Sequence, residues 1–71
     1  MAYNYSKLIG KIVEVCGSQT NFATKIGLSA RSVSLKLNNL RAWKQGEINA
    51  ACDILGIDKS DIPAYFFVQK V

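Results

Sequence analysis

Apolar residues recur along this chain at helical rather than strand spacing. Tyr5, Leu8, Ile9, Ile12, Val13 and Cys16 form an i, i+3, i+4, i+7 series, which predicts an amphipathic first helix. Asn4 or Ser6 is placed to cap it, Gly10 weakens it slightly, and Gly17 ends it. Met1 to Asn4 reads as a loose start. Phe22, Ala23 and Ile26 give one apolar face to a short second helix that Ser18 caps. Ala30, Val33 and Leu37 do the same for a third that Ser29 caps. Asn39 to Trp43 reads as a loop, with the Trp43 indole packing against the helix that follows. Ile48, Ala51, Cys52 and Leu55 predict that fourth helix, which starts near Lys44 and stops at Gly56. Ile57 enters the core. Asp58 or Ser60 caps a short final helix that carries Ile62 inward, with Pro63 in its first turns or at its end. The tail at 64–71 is unusually apolar for a terminus, and termini fray unless tied down. It therefore packs on the chain's own core or meets a second subunit. One small core cannot take all of Tyr65, Phe66 and Phe67.

The second and third patterns lie on either side of Gly27, which takes the positive φ of a tight turn at little cost. Ala23, one helical turn before it, is small enough for two helices to cross closely. This is the pattern of a helix-turn-helix over residues 18–38. On the third helix, Arg31, Ser32, Leu35 and Asn38 point away from Val33 and Leu37, and Ser34 and Lys36 occupy the flanks.

A length of 71 residues allows one domain, spanning 1–71, and 49% hydrophobic residues suffice for one compact core. The formal charge of +4 matters chiefly through its distribution. No acidic residue falls between Glu14 and Glu47, yet Lys25, Arg31, Lys36, Arg41 and Lys44 do. An acid-free basic block that coincides with a helix-turn-helix pattern suits a polyanion. Gln19 and the free N–H groups opening the second helix suit a phosphate or a base edge beside it. The third helix would enter the major groove with its first residues foremost, and Arg31 can make a bidentate contact to guanine. Ser32 and Ser34 can bond bases or phosphates, and Leu35 can touch a thymine methyl. Lys36, Asn38, Asn39, Arg41 and Lys44 are placed for contacts to the DNA backbone. A homodimer would set the two recognition helices roughly 34 Å apart on a near-palindromic site.

Other chemistries find little support. The chain has no histidine, and Glu14, Glu47, Asp53, Asp58 and Asp61 form no catalytic motif, so no enzyme is expected. There is no phosphate-cradling glycine loop. Cys16 and Cys52 are too few for a zinc site and read as reduced core thiols of a cytoplasmic protein. No metal or cofactor is expected. No apolar run approaches the roughly 18 residues that a membrane span needs.

The stretch Gln19-x-x-Phe-Ala-x-Lys-Ile-Gly-Leu-Ser-x-x-Ser-Val-Ser resembles the helix-turn-helix of the phage repressor and Cro superfamily. The wider pattern is similar to small phage Cro-like proteins over nearly the whole chain. It comprises Tyr5-Ser-Lys-Leu-x-Gly-Lys-Ile, Leu35-Lys-Leu-Asn-Asn, Trp43-Lys-Gln-x-Glu-Ile, Leu55-Gly-Ile and Ile62-Pro-x-Tyr-Phe-Phe. The resemblance implies an all-α, five-helix, lambda-repressor-like domain. It also implies a transcriptional regulator of a temperate phage or prophage, acting in the host cytoplasm on double-stranded operator DNA in the choice between lysis and lysogeny. By the same resemblance, Gln19 matches the first DNA-contacting residue of the second helix, while Ala30 and Arg31 match the leading positions of the recognition helix. The alternative is an antirepressor or modulator of the same fold that binds the phage's repressor protein. Ala30, an outward Leu35 and the apolar tail favour it, because they suit a protein partner better than bases.

Overall fold

Side-chain oxygens open the first three helices. In the computed structural model, which describes residues 2–70, Asn4 Oδ1 accepts from the Ser6 N–H at 2.9 Å and starts α1 (Ser6–Cys16). Ser18 Oγ accepts from the Asn21 N–H at 3.1 Å to start α2 (Gln19–Ile26), and Ser29 Oγ accepts from the Ser32 N–H at 3.1 Å to start α3 (Ala30–Leu37). In α4 (Gln45–Leu55) a first-turn carboxylate does this work: Glu47 Oε1 accepts from the Lys44 N–H at 2.9 Å. A 3-10 turn (Lys59–Asp61), tied by the Ser60 N–H to Asp58 Oδ1 at 3.1 Å, leads into α5 (Ile62–Phe66), with Pro63 in its first turn. The fold is thus all-α with five helices.

The core forms where the apolar faces meet. α1 brings Leu8 and Ile12, α2 brings Phe22, α4 brings Ala51 and Leu55, and Phe66 of α5 closes the centre. α1 packs on α2, α4 and α5, whereas α3 packs chiefly on α2, through Val33 and Leu37. α3 therefore leans on one neighbour and keeps an outer side free. Gly27 turns the chain from α2 to α3 at φ +79°; a Cβ there would meet nothing, so the left-handed backbone is what requires glycine.

Three expectations change. Val13, in the apolar series of α1, is half exposed, and Ala30 is exposed although its spacing matches Val33 and Leu37. No helix covers the first turn of α3, so helical period alone does not bury it. The start of the chain is also not loose. The Asn4 N–H donates to the Val68 carbonyl at 2.6 Å and the Lys70 N–H to the Ala2 carbonyl at 3.1 Å, pairing the two ends antiparallel around Tyr3 and Gln69. Met1 and Val71, at the outer ends of the predicted start and tail, lie outside the described residues. The tail packs on the chain's own core: Ala64 to Phe66 complete α5, while Phe67 and Val68 stay substantially exposed.

This pairing leaves the Tyr3 N–H and carbonyl to be satisfied elsewhere, and the Asn39 side chain takes both. Asn39 Oδ1 accepts from the Tyr3 N–H at 2.8 Å and Asn39 Nδ2 donates to the Tyr3 carbonyl at 2.9 Å. The amide stands in for one more peptide group along the edge. Asn39 does so from φ +63°, a left-handed conformation that asparagine tolerates better than most residues.

Asn39→Ala, which loses both bonds and keeps the unfavourable φ, is expected to lower stability by about 1–3 kcal/mol. Asn39→Gly loses the same bonds but relaxes the backbone, and should cost less by roughly 1 kcal/mol. Urea unfolding midpoints measure both, and the Tyr3 amide should exchange faster in each variant.

Candidate functional site

The outer side of α2 and α3 carries most of the predicted contact residues, in unequal states. Arg31 stands exposed on the first turn of α3, and Ala30 beside it presents only a methyl group. Gln19, the first residue of α2, is partly buried. Ser32 is partly buried and its Oγ accepts from the Ser29 hydroxyl at 3.0 Å. Asn38 Nδ2 donates to the Ser34 carbonyl at 2.8 Å and reaches the Ser34 Oγ at 3.4 Å, so these two partly satisfy each other. Leu35 is partly buried rather than fully outward, and Arg41 and Lys44 are exposed beyond the helix.

Lys36 requires a correction. Expected at a phosphate, it is 2% exposed. Its Nζ lies 2.9 Å from Glu47 Oε1 and donates to the Ala42 carbonyl at 3.0 Å, with the Trp43 ring centroid 5.9 Å away. An ammonium taken out of water needs such partners, since an unpaired buried charge is strongly destabilising. The Glu47 oxygen that holds Lys36 also holds the Lys44 N–H. Burial pushes the Glu47 carboxyl up, but the Lys44 amide and the Lys36 ammonium outweigh this and hold it below its ordinary value. One carboxylate thereby joins the end of α3, the following loop and the start of α4, and one positive charge is withdrawn from the outer surface. Asn39 is the second correction: its amide is spent on Tyr3 and is not free to bind a DNA backbone.

Ser32, Arg41 and Lys44 come together with Leu28 around a depression of about 410 Å³ floored by the Lys36–Glu47 pair. Gln19, Ala30, Ser34, Leu35 and Asn38 do not line it. Arg41 and Ala42 also edge a second depression, of about 350 Å³, walled by Tyr3, Leu40, Trp43 and Phe67. Trp43 meets Phe66 edge to face at 5.5 Å, and its Nε1 is buried without an acceptor among the described residues. A buried donor left unpaired costs about 1–3 kcal/mol. Sequence reasoning passed over Glu47 and this apolar wall. The one available signal for Glu47 was its place three residues after Lys44, the reciprocal position of a capping box. Cys16 and Cys52 are free and buried, and burial pushes the Cys52 thiol up, away from the reactive thiolate. Among the described residues no helix is long and apolar enough to cross a membrane.

Residues 1–69 match the model of a family described as "Protein of unknown function (DUF739)", and the chain belongs to that family. Among solved structures it is similar to the modulator of repression (MOR) of the temperate bacteriophage TP901-1 from Lactococcus lactis, determined in solution. The two are 55% identical, the match covers 100% of this chain and 96% of that one, and the TM-score is 0.84. No curated protein matches the chain.

Lys36→Ala strands Glu47 with a single backbone donor. Loss of one partner of a buried pair costs about 3–5 kcal/mol, and the lower end is expected because water reaches Glu47. Lys36→Met retains the packed stem and should lose less. Glu47 titrates below its ordinary value, so its contribution is fully present above the ordinary glutamate pKa and disappears as pH falls through the lower, folded one. Urea midpoints followed down through that range should therefore fall for the wild type and stay flatter for Glu47→Gln.

Proposed function

We propose that this member of the DUF739 family is a modulator of phage repression that acts by binding the phage's repressor protein, in the cytoplasm of a bacterial host. The observation that carries this reading is the 55% identity, along the whole chain, to a modulator of repression. The chemistry of the α2–α3 surface is consistent with it. Binding to DNA draws its affinity mainly from cations that displace counterions from phosphates. Here Lys36 is neutralised in the interior and the Asn39 amide is taken, which leaves Lys25, Arg31, Arg41 and Lys44 exposed on α2, α3 and the loop, together with Ala30 and the partly buried Leu35. A few cations, two of them arginines, among apolar groups suit a protein interface more than a phosphate track. Action by stoichiometric binding needs no catalytic group.

A second reading, operator binding as a Cro-like homodimer, is favoured by one observation: Arg31 stands free on the first turn of α3. The two readings differ in what the purified chain binds. Titrated with its cognate repressor, the chain is expected to form a saturable complex in the micromolar range or tighter, and Arg31→Glu should weaken it by about tenfold or more. Random duplex DNA should be bound only weakly and without sequence preference. Selection of a palindromic site with a steep salt dependence, together with no complex with repressor, would reverse the choice.

A further inference from the structure

The two depressions beside α3 adjoin, and Arg41 and Ala42 line both. On the far side of Arg41 from the α3 surface lies a trough with an apolar section between Leu40, Trp43 and Phe67. Leu40 is 73% exposed and Phe67 49% exposed, yet neither is loosely held. The Leu40 N–H donates to the Leu35 carbonyl at 2.9 Å, and the Phe67 ring lies edge to face on Tyr3 at 6.0 Å. Exposed apolar side chains held in place around a concavity mark an interaction surface. Tryptophan, tyrosine and arginine are the residue types that most often dominate binding energy, and all of them border this trough.

Two further observations specify the occupant. No carboxylate lines the apolar section, and Arg41 at its edge belongs to no ion pair among the described residues. The section therefore offers apolar walls and one free cation, and lacks anything that would repel an anion.

We propose that this trough seats an apolar segment of the repressor that bears a carboxylate, in addition to the contacts made on α3. The apolar side chains lie between Leu40 and Phe67, and the carboxylate pairs with Arg41. The proposal rests on the repressor-binding reading and extends that interface beyond α2 and α3.

Trp43 is the single tryptophan and lines the trough, so its indole N–H gives one nuclear magnetic resonance signal that reports on that wall. The experiment titrates the isotope-labelled full chain with unlabelled cognate repressor. Affinities are measured in parallel for Leu40→Ser, Phe67→Ser and Arg41→Gln. Val13→Ser, an exposed apolar site on α1 outside the trough, is the control. The expected result is a shifted Trp43 indole signal, with affinity lowered about fivefold or more by each trough variant and unchanged by the control. If the repressor binds, shifts stay confined to α2 and α3, and the trough variants bind like the wild type, this proposal fails while the repressor-binding reading stands. If no complex forms, both fail. A Trp43 signal that moves with the concentration of the chain alone would assign the trough to a second copy and overturn the proposed occupant.

Discussion

A single buried ion pair governs how the candidate surface is built. Lys36 and Glu47 meet where three segments converge: the last turn of α3, the loop that follows, and the first turn of α4. The ammonium binds the loop through the Ala42 carbonyl, and the carboxylate closes the open end of α4 through the Lys44 N–H. Desolvating both charges is costly, so the arrangement holds only while all these partners are in register. The pair thus selects one position for the loop among those that apolar packing alone would tolerate. The loop in turn carries Leu40 and Arg41, both exposed beyond α3.

This explains an apparent mismatch between the charge of the chain and the character of its surface. The acid-free block of sequence looks suited to a polyanion, but one of its cations faces inward and one of its amides is committed to backbone. What remains outside is a small number of cations distributed among apolar groups. On the proposed reading, such a surface discriminates by fit and by a few placed charges rather than by the repeated phosphate contacts that nucleic acid invites.

The features legible in the sequence are those set by near neighbours. Ser18 and Ser29 cap helices because a hydroxyl reaches an N–H within the same turn, and Gly27 and Gly56 end helices because a left-handed residue favours glycine. The spans of α1 to α4 followed from the apolar period to within a residue or so, whereas α5 runs through Ala64 to Phe66, where a tail is expected. What the period cannot convey is which faces other helices cover. Ala30 and Val13 match an apolar stripe that ends in solvent, whereas Lys36 lies on the buried side beside Leu37 because a carboxylate from a different helix waits there. Asn39 sits in the predicted loop as a candidate for the DNA backbone; its role depends instead on Tyr3, a partner distant in the chain that comes near only after folding. The apolar trough has the same origin, since its walls come from the first residues, the loop and the last helix together.

The antiparallel pairing of residues 2–4 with 68–70 brings the described ends of the chain side by side. Tension that draws these ends apart acts across the pairing rather than along it, and so loads its hydrogen bonds one after another. Resistance to peeling is then set by single bonds taken in turn rather than by their sum. A processive unfolding machine that has peeled this pairing next meets the core, at Tyr5 on one side and at Phe66 on the other. The fold is mechanically soft at its ends and firm in its middle, and the first elements to be stripped are those that wall the apolar trough.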